Sequence, residues 1–266
     1  NSGPQNYGPQ NSGLRIPKVE FKDMEFVYAG AKEPALKDIS FCAMAGQTIG
    51  VIGGTGSGKS TLVNLIPRFY DAASGQVLVD GTDVREYSLD ELRDKTGVVP
   101  QKSVLFKGTL RDNMRWGKQD ASDEEIYRAL DTAQAREFVD SKGEGLDLYI
   151  DQGGHNLSGG QRQRLTIARA LVRRPEILIM DDSASALDFA TDARLRKAIR
   201  ENTGDMTVFI VSQRATTIKS ADTILVLDEG RLAGMGTHKE LLKDCQVYRE
   251  ICLSQLSKEE VERDEQ

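Results

Sequence analysis

The 266-residue chain reads as an α/β fold in which a glycine-rich loop joins a buried strand to a helix, with an antiparallel β subdomain before it and an α-helical subdomain after it. Three patterns predict this. Gln47-Thr48-Ile49-Gly50-Val51-Ile52 reads as a buried strand and Ser60 to Ile66 as a helix, with glycines between. Alternation at Val19-Glu20-Phe21-Lys22 and at Leu36-Lys37-Asp38-Ile39-Ser40-Phe41 predicts antiparallel strands upstream. After Gln101 the character turns helical: Ser122-Asp123-Glu124-Glu125 is a capping box, and Ile126, Leu130 and Ala133 fall on one face.

In chain order, Asn1 to Gly13 is rich in Gly, Pro, Asn and Gln and is expected to be disordered; residues 1–16 are expected to be a linker or tag, since the chain starts at Asn1 rather than Met and looks excised. Residues 17–257 form the expected main domain. A hairpin is expected around Val77-Leu78-Val79-Asp80-Gly81, a helical subdomain over about 102–157, and buried strands at Val208 to Val211 and Ile224 to Leu227. Residues 258–266 are expected to be an acidic tail or frayed helix.

A content of 39% hydrophobic residues suits one large domain rather than two. No run reaches the roughly 18 apolar residues of a membrane span, so any membrane segment is expected in a part not included or in another chain. Net charge is 35 − 41 = −6, which argues against nonspecific nucleic-acid binding. Arg162, Arg164, Arg169, Arg173 and Arg174 cluster on one segment and read as a solvated helix face or a seat for a partner. Cys42, Cys245 and Cys252 lack metal spacing, and an odd count suits a reducing cytosol.

Gly53-Gly54-Thr55-Gly56-Ser57-Gly58-Lys59-Ser60 matches G-x-x-x-x-G-K-[ST] in full, followed by Thr61. Such a loop turns backbone N–H groups inward around phosphates, adds the positive end of a helix dipole, and lets Lys59 reach the β- and γ-phosphates while the Ser60 hydroxyl holds Mg²⁺. A flexible Gly/Ser turn is the bland alternative, but a chance match is on the order of one per cent in a chain of this size. Glu176-Ile177-Leu178-Ile179-Met180-Asp181-Asp182 supplies an apolar strand ending in two carboxylates, expected beside the loop strand. Asp181 is the natural Mg²⁺ partner to Ser60, because this hard cation takes one or two carboxylates plus phosphate oxygens. Alone, such an Asp marks only a strand end.

Leu157-Ser158-Gly159-Gly160-Gln161, followed by Arg162-Gln163-Arg164-Leu165-Thr166-Ile167-Ala168-Arg169-Ala170-Leu171, resembles the signature helix of ATP-binding cassette (ABC) ATPases. The resemblance runs from about Pro17 to about Leu256, with Tyr28, the loop, Gln101, the signature, Asp181-Asp182, Ser185-Ala186-Leu187-Asp188 and position 213 in the family order. It implies an ABC ATPase core with an antiparallel β subdomain and a helical signature subdomain, using ATP and Mg²⁺. By family role, Tyr28 stacks on adenine, a contact worth about 1–3 kcal/mol by analogy with base stacking on aromatics. On its own a strand tyrosine is usually packing. Gln101 matches the glutamine that touches Mg²⁺ and reports nucleotide state to the membrane partner; on composition it would be an ordinary loop residue. Ser158 and its glycines cap a helix with backbone donors free for an anion, and in the family two ATPase domains face head to tail, so that each signature meets the other's nucleotide. Without a phosphate loop the same residues would be a plain N-cap.

Two positions depart from the family pattern. Asp182 stands where the general base is usually Glu, and Gln213 stands where the switch histidine is expected. Asp is one methylene shorter, which is expected to draw its carboxylate back by more than about 1 Å, a misplacement that can cost about 10²-fold in rate. Gln213 can donate a hydrogen bond to a γ-phosphate but has no titratable nitrogen. The signature is intact, so the chain resembles the degenerate-site half of heterodimeric ABC exporters. Asp151-Gln152-Gly153-Gly154 departs from the exporters' Glu-Arg-Gly run and leaves the membrane-domain contact open.

Ser103 to Asn113 resembles the loop that meets the coupling helix of a transmembrane domain, where Phe106 either fills a gap beside that helix or belongs to the core. Gly236 to Leu242 also fits the exporter pattern, with His238 a surface or capping residue. The resemblance places the chain at the cytoplasmic face of a membrane, with a second ABC ATPase domain and a transmembrane domain as partners and no nucleic acid. A homodimeric ATPase with slow turnover and a nonhydrolysing ATP-operated clamp are the alternatives; the DNA-associated relatives usually insert coiled coils, which this sequence lacks.

Overall fold

The computed structural model describes residues 16–183 and 186–265. The expectations for Asn1 to Gly13 and for Ser185 fall outside those residues. The chain opens with β1 (Val19–Phe26), β2 (Leu36–Ala43), β3 (Thr48–Gly53), α1 (Lys59–Asn64), and the hairpin of β4 (Ser74–Val79) and β5 (Thr82–Asp83). Next come α2 (Leu89–Lys95), β6 (Thr96–Val99), β7 (Gly108–Thr109), α3 (Leu110–Arg115), α4 (Asp123–Thr132), α5 (Arg136–Ser141), β8 (Tyr149–Ile150) and α6 (Gly159–Leu171). The last third holds β9 (Ile177–Asp181), α7 (Phe189–Asn202), β10 (Thr207–Val211), α8 (Ala215–Ile218), β11 (Thr223–Asp228), β12 (Arg231–Gly236), α9 (His238–Asp244), α10 (Gln246–Leu253) and α11 (Lys258–Glu265).

β1 pairs antiparallel with both β2 and β4, and β5 extends that sheet in the order β2-β1-β4-β5. The six-stranded sheet runs β12-β11-β3-β10-β9-β6, parallel except for the β11–β12 pair. Its inner strands β3, β10 and β9 are almost wholly buried because both faces are covered, whereas the edge strand β12 stays largely open to solvent. Successive side chains point to opposite faces, so Ile179, Phe209, Val211, Leu225 and Leu227 join the core shared with the antiparallel sheet. Met180, Val208, Ile210, Ile224 and Val226 join the core beneath the helices. Lys18 and Lys95, each bonded to both Asp80 and Glu176 at 2.6–3.1 Å, tie the two sheets at their edges.

Four expectations change. The acidic strand β9 is not beside β3, because β10 pairs with both and lies between them. Arg174 is exposed, but the other four arginines of this segment are not a solvated face: in α6, Arg162 donates to the carbonyls of Gly154 and Leu157, Arg164 to that of Gln134 and Arg169 to that of Val104, and just beyond it Arg173 donates to those of Gly117 and Arg93. With α6 packed against neighbouring segments, these guanidinium groups bind main-chain carbonyls. His238 does not cap α9, since Thr237 and Glu240 form that capping box; it bridges the Tyr248 hydroxyl at 2.7 Å and Asp264 at 3.3 Å. The acidic end is not frayed either. α11 buries Val261 completely and pairs Asp264 with His238 and Lys219, and Glu265 with Arg249.

Replacing Val261 with Ala should therefore lower unfolding stability by about 1–2 kcal/mol in a denaturant titration and speed amide exchange across α11. A change confined to α11, with no shift of the global midpoint, would mean that the helix rests on the domain without contributing to it.

Candidate ATP site

The carboxyl ends of β3, β9, β10 and β6 deliver Gly53, Asp181-Asp182, Ser212-Gln213 and Gln101 to one edge of the sheet, the place where open α/β sheets leave a crevice. There a cavity of about 430 Å³ is lined by Tyr28, Thr55, Gly56, Gly58, Lys59, Ser60, Thr61, Gln101, Asp181, Asp182 and Gln213, among others. Of the expected site residues, Gly53 and Ser57 are not part of its lining. Ser158, Gly159, Gly160 and Gln161 do not line it.

The loop is built for close approach. A β-carbon on Gly53 would stand 2.1 Å from the Leu227 carbonyl oxygen, and Gly58 caps α1 at φ 99°, which only glycine adopts readily. Gly54 and Gly56 face open space. No side chain caps α1, leaving its first N–H groups for an anion, and the buried Ser57 hydroxyl has no hydrogen-bond partner. Lys59 curls over the loop, its ammonium donating to the carbonyls of Gly53 at 2.9 Å and Gly54 at 2.7 Å. An unpartnered hydroxyl, free amides and a cation around an open cavity fit a polyphosphate.

α1 packs across β3, β10 and β9, which brings Ser60 over the acidic strand although β10 intervenes. Its hydroxyl donates to Asp181 Oδ1 at 2.9 Å. Hydroxyl, carboxylate and amide oxygen from Ser60, Asp181 and Gln101 make the hard-oxygen donor set that suits Mg²⁺. Burial pushes the Asp181 carboxyl above the usual carboxylate range; the Ser60 bond opposes this, the charge of Asp182 adds to it, and Lys59 opposes it. Burial likewise pulls Lys59 below the usual lysine range against Asp182 and Asp181.

Asp182 takes φ 45°, a left-handed backbone that Asp tolerates better than Glu, and its Oδ2 accepts from Gln101 Nε2 at 3.3 Å. Tyr28 holds the Thr61 hydroxyl at 2.7 Å and meets Tyr70 edge-on at 5.5 Å, with its ring 40% exposed. Tyr70 supports Tyr28 without lining the cavity itself; Ala35 and Ser212, which do line it, carry no signal in the sequence.

Ser158 begins α6 with a reciprocal cap: its hydroxyl accepts from Gln161 N at 3.2 Å, and Gln161 Oε1 accepts from Ser158 N at 3.0 Å. The N–H groups of Gly159 and Gly160 are left facing outward from the helix start, beside Ala186 and Leu187.

The ABC transporter family model matches residues 36–185, more than half of the chain. The chain belongs to the ABC transporter family. It is 49% identical over 240 residues to an uncharacterized ABC transporter ATP-binding protein of Mycobacterium tuberculosis, covering 89% of this chain and 41% of that protein. It is 43% identical over 240 residues to the ATP-dependent lipid A-core flippase of Haemophilus influenzae, covering 90% and 41%. A bacterial Atm1-family ABC exporter solved with ATP bound superposes with a TM-score of 0.86 at 38% identity, covering 91% of this chain and 42% of that one. The chain thus spans about two fifths of the length of these relatives. It is an ATP-binding domain of the exporter type, an ATPase domain with the α/β ABC fold. Among the described residues no helix is long and apolar enough to cross a membrane.

Asp181→Asn should raise the melting temperature of the nucleotide-free protein by a few degrees at neutral pH while weakening ATP·Mg²⁺ binding about 10- to 100-fold. A raised folded pKa means the folded state holds the proton more tightly, so the carboxylate becomes a burden as pH rises through that value; the gain should vanish below the ordinary value of 3.8. Equal gains at pH 3 and pH 7 would show that burial of this charge is not the cause.

Proposed function

We propose that this chain is the ATPase half of an ABC exporter whose own nucleotide pocket hydrolyses slowly and whose signature helix completes the pocket of a different subunit. The observation that carries this reading is the split between the two sets of residues: Asp182 and Gln213 line the same cavity as Lys59 and Asp181, while Ser158 to Gln161 stand apart from it with their cap intact.

In this reading the loop from Gly53 to Ser60 and Thr61 grips the triphosphate, Tyr28 stacks on the base, and Lys59 shifts from the loop carbonyls to the β- and γ-phosphates. Ser60, Asp181 and Gln101 would hold Mg²⁺, which when bound neutralises charge on the β- and γ-oxygens. Asp182 orients water from a carboxylate set back by its missing methylene and tied to Gln101. Gln213 donates to the γ-phosphate without the option of taking up a proton. Slow turnover follows from both substitutions together.

The signature cannot serve its own cavity, so a second ATPase domain must face this one head to tail, bringing a triphosphate to the N–H groups of Gly159 and Gly160. A transmembrane domain is the other partner, which places the assembly at the cytoplasmic face of a membrane. Phe106 and Trp116 support that contact: their rings pack 4.9 Å apart, yet they remain 40% and 68% exposed beside the loop that resembles the coupling-helix seat. The Arg169 guanidinium lies 5.8 Å from the centre of the Phe106 ring, so the surface is aromatic with a cationic side chain beside it.

A homodimeric ATPase is the second reading, favoured by the carboxylate of Asp182 lying in the same cavity as Asp181 and Lys59. ATPase assays of the purified chain separate the two. The unaltered chain should turn over slowly, and the pair Asp182→Glu with Gln213→His should raise kcat about 10- to 100-fold, less whatever the longer acid loses to strain on a left-handed backbone. Fast turnover by the unaltered chain that Ser158→Arg abolishes would replace the heterodimer with the homodimer.

A further inference from the structure

The segment that carries Gln213 into the cavity lies between β10 and α8 and has few ladder bonds of its own. Ser212 N donates to the Val51 carbonyl at 3.1 Å, and Arg214 N is taken by the Ser212 hydroxyl at 3.0 Å. The remaining backbone groups on either side of Arg214 are held from far along the chain by one side chain. Gln255 Nε2 donates to the carbonyl of Gln213 at 2.7 Å, and Gln255 Oε1 accepts from the N–H of Ala215 at 2.9 Å. Because the Gln213 carbonyl can only accept and the Ala215 amide can only donate, the orientation of the Gln255 amide is fixed by its partners. A primary amide is the neutral side chain that offers a donor and an acceptor side by side at this spacing.

Gln255 is itself held firmly. It follows α10, where Gln255 N and Leu256 N both donate to the carbonyl of Cys252, a fully buried residue. Beyond it, Ser257 and Glu260 cap α11, Val261 anchors that helix in the core, and Asp264 reaches Lys219 at the end of α8 at 3.5 Å. The α10–α11 hairpin therefore grips the 213–219 segment at two points, one at its start and one at its end.

We propose that Gln255 is a positioning residue for the nucleotide site: by clamping the backbone on both sides of Arg214, it sets where the Gln213 side chain stands in the cavity, so that the C-terminal hairpin governs nucleotide affinity from outside the pocket. This rests on the reading that Gln213 faces the γ-phosphate. Losing the clamp frees the ψ of Gln213 and the φ of Ala215, and the Gln213 amide then samples directions that miss the phosphate. Glutamate cannot replace it, since a carboxylate accepts from Ala215 but repels the Gln213 carbonyl.

Isothermal titration of ATP·Mg²⁺ into the full chain tests this with Gln255→Ala, Gln255→Glu, Gln213→Ala and the Gln213→Ala/Gln255→Ala double variant. Both Gln255 variants should bind about 3- to 10-fold more weakly, and in the Gln213→Ala background the further loss should shrink below about 2-fold, because the two residues then act as one unit. Amide exchange at Ala215 should quicken in Gln255→Ala while exchange in the β3 and β10 strands stays slow, which separates release of the clamp from unfolding. If Gln213→Ala weakens binding but Gln255→Ala does not, or if Gln255→Ala costs the same in both backgrounds, the positioning role is overturned. Unchanged affinity in Gln213→Ala would instead remove the nucleotide role of Gln213, and the proposal with it, even where exchange at Ala215 reveals the clamp.

Discussion

The loop between β3 and α1 exists in its observed shape only because its backbone runs against the end of β11. The Leu227 carbonyl oxygen would be 2.1 Å from any β-carbon at position 53, and the Ser57 hydroxyl 2.6 Å from it. That contact seats the loop at the carboxyl edge of the sheet, aims its free N–H groups into the cavity and starts α1 where Ser60 meets Asp181. Parallel strands then bring everything else to the same edge, because their ends share one direction and their side chains are committed to the two cores above and below.

The residues around the cavity cost the fold stability. Two adjacent carboxylates, a buried ammonium turned onto main-chain carbonyls and an unpartnered serine hydroxyl are arrangements that a structure selected for stability alone would avoid. The two carboxylates and the ammonium line one cavity, and the proposed cation and polyanion would relieve them. Asp182 belongs to this set in a second way. Its left-handed backbone suits the shorter acid better than a glutamate.

Much of this was readable along the chain. The strand-loop-helix order, the alternation along β1 and β2, the turn at Asp80-Gly81, the capping box at Ser122 and the helix cap at Ser158 each depend on neighbours a few residues away, and such local chemistry is written directly in sequence. What failed to read correctly involved partners distant in sequence. The place of β10 between β3 and β9 is a matter of crossover order, which periodicity does not encode. The arginines of and just after α6 looked solvated because most of the carbonyls that receive them, such as those of Arg93, Val104 and Gln134, lie far away in the chain. Gln255 gave no signal at all: its two partners lie about forty residues back, and an exposed glutamine after a helix resembles any other.

Sequence by itself determined the chemistry: which residues can cradle phosphate, which carboxylates can meet a cation, and which helix start offers free amides, since these follow from residue type and short spacing. Tertiary structure alone decided the company those residues keep. It put Asp182 and Gln213 in one cavity with Lys59, left Ser158 to Gln161 outside it, and tied the Gln213 segment to the C-terminal hairpin, because distances between residues far apart in the chain are set by sheet order and core packing rather than by any local pattern.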